Sequence, residues 1–228
     1  MAGNADAGGS GQTVLQDAVR LLLLIQAAGT DLHESEVESA PDGAVAVVKG
    51  QVLLQALDFW LRNPDYLADE LLSRYECAGD AADLEVAASI LDSEEPEVRS
   101  YPMLRYLFGA YEPLDEALAV LRAPGLVIVR RVGAPGAVKQ ANYYLTAAGR
   151  DVATAVIGAA AEFSYYVERA KVVIDLAAGR PGSQLKKVQY QQLEYGETEL
   201  LHHITGIADR VRTRLASLRS GLGEGNAS

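Results

Sequence analysis

One cysteine, Cys77, and three histidines are all the thiol and imidazole ligands that 228 residues offer a metal. A lone cysteine excludes an intrachain disulfide and suits a reducing compartment, where its plainest use is a small packed side chain. His202 and His203 are neighbours, about 100° apart on a helix, and His33 lies in a distant segment, so no metal centre is expected. There is no Cys/His cluster and no locally supported Ser–His–Asp pattern. The expectation is therefore a protein without metal or cofactor, and not an enzyme. Long apolar runs are missing too. "LLLLI" at 21–25 and "VATAVIGAAA" at 152–161 are the longest, and both fall short of the ~20 residues of a membrane span. The opening "MAGNADAGGSGQT" lacks the basic start and apolar stretch of a signal peptide. Its "GGSGQT" resembles a phosphate loop but has no lysine and no preceding strand. These absences predict a cytoplasmic protein with unstructured tails at 1–12 and 221–228.

What is plentiful is negative charge, unevenly spread. Residues 1–100 carry 19 acidic and 5 basic side chains, a balance of −14, against 12 and 15, or +3, in residues 101–228; together they make the −11 of the chain. Such asymmetry predicts different partners for the two halves, since acidic surface repels phosphate backbones and mildly basic surface tolerates them.

Helical spacing is clear at 14–28, which ends at Gly29 and is followed by an acidic connection, "HESEVESAPDG" at 33–43. Residues 13–49 thus read as a helix and an acidic linker. In "QVLLQALDFWLRNPDYLADELLSRY", Leu53, Leu54, Leu57, Trp60 and Leu61 form one stripe and Leu67, Leu71 and Leu72 a second. Asn63 separates the two helices and is expected to cap the second, with Pro64 at its first position. A short helix is expected near 82–91, then an acidic loop, then another helix over 101–111. In "EPLDEALAVLRAPG", Leu114, Leu118 and Leu121 face inward at i, i+4, i+7, and Pro124-Gly125 ends the helix. "LVIVRRV" and "VKQANYYL" around "GAPGA" predict a β-hairpin. Thr146 is expected to cap a long helix to about Ala178, broken by "GRPG". Two more helices follow, near 183–194 and 197–220, the last with Leu200, Leu201, Ile204, Ile207, Val211, Leu215 and Leu218 on one face.

The order helix, tight break, helix, later helix and hairpin is that of a winged helix-turn-helix. Within 113–155, "ALAVLRAPGLVIVRR" and "NYYLTAAGRDVA" resemble the recognition helix and wing of bacterial winged-helix proteins of the MarR and PadR type. Leu145, Thr146, Gly149 and Arg150 match the "LT-x-x-GR" that opens the helix after the wing. The resemblance implies a mainly α fold: a winged-helix unit at 50–150 with an acidic insertion at 74–100, extra helices before it, and a helical region at 151–220 through which such proteins form dimers. The general layout also resembles winged-helix accessory subunits of bacterial multi-protein systems, such as condensin-type and genome-defence assemblies.

Between residues 122 and 150 stand Arg122, Arg130, Arg131, Lys139 and Arg150, with no acidic residue among them. On a wing such cations lie along phosphates of double-stranded DNA, largely without regard to sequence. The alternative is that Arg130 and Arg131 pair with the acidic half of the same chain. The helix before the wing points the other way. Its outward positions are Asp115, Glu116, Ala119 and Arg122, with Glu112 just before them, and three acids in five residues oppose entry into a major groove. The tyrosine pairs at 143–144 and 165–166 fit packing better than base stacking. Two readings result. One is a non-catalytic regulator or accessory protein, homodimeric, touching DNA through its wing. The other is an adaptor subunit whose winged helix presents Glu112, Asp115, Glu116 and Ala119 to a partner protein and never meets DNA.

Overall fold

Helix α3 (Gln51–Arg62) explains most of the architecture. A helix apolar on one stripe sits at a surface, whereas every residue of α3 from Leu54 to Arg62 is buried. It is the central rod, enclosed by α1 (Val14–Ala28), α4 (Pro64–Ala78), α8 (Ala161–Ala177), α9 (Gly182–Gln191) and the sheet. The polar residues on its flanks are therefore internal. Asp58 accepts Arg20 Nε of α1 at 2.8 Å, and the Ala56 carbonyl accepts Gln189 Nε2 of α9 at 3.0 Å. Phe59 meets the edges of Tyr66 and Tyr195, with ring centroids 5.1 and 5.2 Å away.

The computed structural model describes residues 14–93, 103–106, 109–111, 114–134, 137–159 and 161–225. Among them are eleven helices and two antiparallel sheets. The remaining elements are β1 (Thr30–Asp31), α2 (Glu34–Val37), β2 (Ala44–Lys49), α5 (Ala81–Asp92), β3 (Leu104–Tyr106), β4 (Gly109–Tyr111), α6 (Asp115–Arg122), β5 (Val127–Ala134), β6 (Ala137–Thr146), α7 (Ala147–Ala159), α10 (Leu193–Glu197) and α11 (Ala208–Gly225). The main sheet runs β1-β2-β6-β5, and β3-β4 form a separate ribbon. The fold is mainly α, as expected, but its sheet exceeds the hairpin. "AVAVVK", within the stretch read as linker, is a third long strand that pairs with β6, Val48 opposite Tyr143. Ala46, Val48, Val127, Tyr143 and Leu145 turn one sheet face into the core.

Three expectations are corrected. "YPMLRYLFGAY" gives no helix over 104–106 and 109–111 but the β3-β4 ribbon, in keeping with its tyrosines and phenylalanine. The last helix starts at Ala208, not near 197, and runs to Gly225, so 221–225 are helical rather than part of an unstructured tail. Leu200 and Leu201 lie on the turn before it, 47% and 65% exposed, while Ile204, Ile207, Val211 and Leu215 are buried within their own chain. The apolar stripe once available for a dimer is thus largely used internally. Finally, Asn63 does not cap α4. Its Nδ2 donates to the Phe59 carbonyl at 2.8 Å, closing the end of α3, and its backbone N–H does the same at 2.9 Å. An amide can donate there and a carboxylate cannot. At 4% exposure, Asn63→Asp is expected to cost about 2 kcal/mol, more than Asn63→Ala at about 1 kcal/mol, in urea denaturation. Equal costs for the two variants would refute the closure.

Part of the acidic half is paired within the fold. Helix α11 lays its arginines on the acidic helices α4 and α5. Asp69, 2% exposed, accepts Arg214 at 2.7 Å and Arg210 at 3.3 Å, Arg214 also reaches Glu76, and Arg219 meets Asp92 at 3.1 Å. Arg74 joins Asp83 to Asp175 of α8. Asp65 accepts the Ile207 N–H at 2.6 Å at the start of α11. Burial pushes its carboxyl above the usual range, against those backbone N–H groups.

Candidate functional site

The surface of interest is built at the end of α6. Three leucines at helical spacing, Leu114, Leu118 and Leu121, are buried as the spacing predicts. The helix stops because Gly125 takes φ +73°, a conformation that favours glycine. The Gly125 N–H then returns to the Arg122 carbonyl and the Leu126 N–H to the Leu121 carbonyl, both at 3.0 Å, which is a Schellman closure. It aims the chain into β5.

The end of β6 is locked to the same corner. The Thr146 hydroxyl donates to the Gly125 carbonyl at 2.8 Å and accepts the Gly149 N–H at 3.0 Å, so Thr146 caps α7 as expected. Gly149 lies so close to β5 that a Cβ there would stand 2.2 Å from the Leu126 carbonyl oxygen. The "LT-x-x-GR" pattern thus has a physical basis here: Leu145 fills the core, Thr146 caps, and Gly149 admits the backbone contact.

Above this corner a groove of about 640 Å³ runs between α6 and the hairpin. Leu114, Leu118, Val129 and Tyr143 form its apolar floor, and Asp115, Arg122, Arg131 and Gln51 its polar edge. The strand alternation explains the side-chain placement. Val127, Val129 and Arg131 project to the α6 side, while Ile128, Arg130 and Val132 project to the other.

The structure divides the expected cations. Arg122 and Arg131 are exposed at the groove, without an ion-pair partner among the described residues. Arg130 turns to the opposite face and donates to the Ser39 carbonyl at 2.8 Å. There Lys49 also pairs with Glu36 at 2.7 Å, so the acidic connection lies against the outer face of the sheet. Arg150 pairs with Asp31 at 2.5 Å. The Lys139 side chain and all of Glu112 lie outside the described residues. Asp115, Glu116 and Ala119 are exposed on α6, as expected. Gln51 and Ser39 were not foreseen. Gln51 is brought in by β2, which carries the start of α3 to the hairpin, and no local pattern marks it. No group of three or more His, Cys, Asp or Glu among the described residues is placed to hold a metal ion. No described helix is long and apolar enough to cross a membrane.

Comparison with protein-family models, with curated proteins and with solved structures finds no significant match to this chain.

Proposed function

We propose that this chain is a non-catalytic winged-helix accessory protein whose α6–hairpin surface engages a partner protein. Support for the winged-helix reading is the succession α1, β2, α3, α6, β5, β6, in which β2 joins the hairpin to make a three-stranded β2-β6-β5 order. On this reading the unit begins at α1 rather than at residue 50, and α4 to β4 are an insertion before the recognition-type helix α6.

One observation carries the choice of partner. The outward face of α6 exposes Asp115 and Glu116, while two of the five wing cations, Arg130 and Arg150, are held by Ser39 and Asp31. A helix so charged pays a repulsive cost on approaching phosphates, and a wing so engaged has fewer guanidinium groups to offset it. The second reading, a regulator touching DNA through its wing, is favoured by Arg122 and Arg131, both exposed and unpaired among the described residues.

A fluorescence anisotropy titration of a mixed-sequence duplex at two salt concentrations decides between them. The variants are Arg130→Ala with Arg131→Ala, and Asp115→Asn with Glu116→Gln. The expected result is no binding by wild type or by the arginine variant, even at low salt. Binding that is steep in salt, with the slope of log affinity against log salt flattened by about 0.9 for each arginine removed, would overturn the adaptor reading.

A further inference from the structure

We propose that the open edge of β5 takes an extended, acidic segment of a partner protein as an additional strand. The inference rests on the reading of the α6–hairpin surface as protein-binding and names the kind of partner it fits.

The backbone comes first. β5 is the last strand of the β1-β2-β6-β5 order, and among the described residues it pairs with β6 alone. Which of its groups face the open side follows from the ladder. The Thr146 N–H donates to the Leu126 carbonyl at 3.1 Å, which makes 126/146 a hydrogen-bonded pair. In an antiparallel ladder such pairs alternate, so 128/144, 130/142 and 132/140 are bonded and 127/145, 129/143 and 131/141 are not. The opposite side of β6 agrees: the Ala141 carbonyl accepts the Gly50 N–H at 3.1 Å and so points away from β5. The N–H and C=O groups of Val127, Val129 and Arg131 therefore point away from β6; Val127 is buried, so Val129 and Arg131 are the accessible positions of this edge.

The side chains come second. Those same three residues project to the α6 side, and Val129 and Arg131 line the groove. A strand laid about 4.8 Å beyond β5 would bond to Val129 and Arg131 and send alternate side chains over the groove mouth. Apolar residues there meet Leu118 and Val129.

Charge comes third. The groove edge carries two guanidinium groups, Arg122 on α6 and Arg131 on β5, and one carboxylate, Asp115 on α6, while Arg130 on the other side of the strand is held by the Ser39 carbonyl. Residues 122–150 contain no acid. An incoming strand with acids on one face is matched to Arg122 and Arg131 at this edge, and a basic one is repelled. A second copy of this chain is a poorer occupant, since two β5 edges would gather Arg130 and Arg131 from each onto one ribbon.

The test is residue-resolved amide exchange by NMR on the full chain. The probes are an eight-residue peptide alternating glutamate with valine, its lysine–valine counterpart, and a DNA duplex. The glutamate peptide is expected to slow exchange at Val129 and Arg131 and to leave Ile128, Arg130 and Val132, already in the ladder, unchanged. The lysine peptide is expected to do neither. Arg131→Glu should weaken the glutamate peptide about tenfold. Val129→Pro removes one outward N–H at an edge position, where proline is tolerated, and should abolish binding while the 128, 130 and 132 amides stay protected. No protection by the glutamate peptide, protection without the alternation, or equal binding of the lysine peptide overturns the proposal. So does protection at these amides that rises with protein concentration alone, which is self-pairing. If the duplex protects this edge and the glutamate peptide does not, the protein-binding reading itself fails. If neither binds, only the added strand is lost.

Discussion

Gly149→Ala is expected to cost about 3 kcal/mol of folding stability, more than most substitutions that add a single methyl group. The added Cβ would stand 2.2 Å from the Leu126 carbonyl oxygen and 2.9 Å from Leu145 Cδ1. The carbonyl belongs to backbone that cannot yield cheaply, because Leu126 is bound at both ends. Its N–H closes α6 on the Leu121 carbonyl, and its carbonyl accepts the Thr146 N–H. Relief requires α7 to move off β5, which withdraws the Gly149 N–H from Thr146 and opens the corner that aims α6 and the hairpin at each other. Gly158, in the same helix, provides the control. Nothing lies within 4 Å of a Cβ there, so Gly158→Ala is expected to stabilise by about 0.5–1 kcal/mol, the usual gain of alanine over glycine in a helix. Parallel urea titrations of the two variants measure the difference. If Gly149→Ala costs no more than Gly158→Ala, the close contact of α7 with β5 is not a fixed feature of the fold.

The contrast between those glycines shows what local pattern conveys. The corner at 121–149 is legible because each part has its own signal: leucine spacing for α6, Pro124-Gly125 for the stop, alternation for the strands, Thr146 for the cap. Helix α1 and the Asn63 break are legible for similar reasons. What fails is whatever depends on distant residues. "AVAVVK" is short and carries no turn chemistry that demands a strand, and its pairing with β6 about a hundred residues away decides it. Asn63 sits where either helix end could claim its side chain, and only packing assigns it to Phe59. Leu200 to Ile207 keep helical spacing, yet Asp65 of α4 captures the Ile207 N–H and starts α11 there. In the candidate site the cations are legible in the sequence, but their directions are not. Arg130 and Arg131 are adjacent, so the strand sends them to opposite faces, one to Ser39 and one to the groove.

The least legible feature is the charge inside α3, and it carries the largest remaining expectation. Asp58 is 0% exposed and Arg20 1%, with Arg20 Nε donating to Asp58 at 2.8 Å and Asp17 on the same guanidinium. Burial opposes the charge on Arg20, but Asp58 and then Asp17 more than offset it, so its pKa is raised. A buried pair of this kind adds little against an apolar pair of the same volume, yet removing one member leaves the other charge desolvated. Asp58→Asn is therefore expected to cost about 3–5 kcal/mol. Arg20→Met combined with Asp58→Leu should regain most of that loss, the remainder falling to Arg62, whose Nη1 lies 3.9 Å from Asp58. A double-mutant cycle in urea reads the coupling. A cost below about 1 kcal/mol for Asp58→Asn, or additive losses in the double variant, would show that the pair is not the element that holds α1 in register on α3. The consequence reaches the groove. Helix α1 packs against α6 as well as α3, and Gln51 at the start of α3 lines the opposite wall. Loosening α1 from α3 therefore separates the two walls of the surface proposed to hold the partner strand. Amide exchange in Asp58→Asn should accelerate in α6 before it does so in α11, which is anchored independently through Asp65 and Asp69.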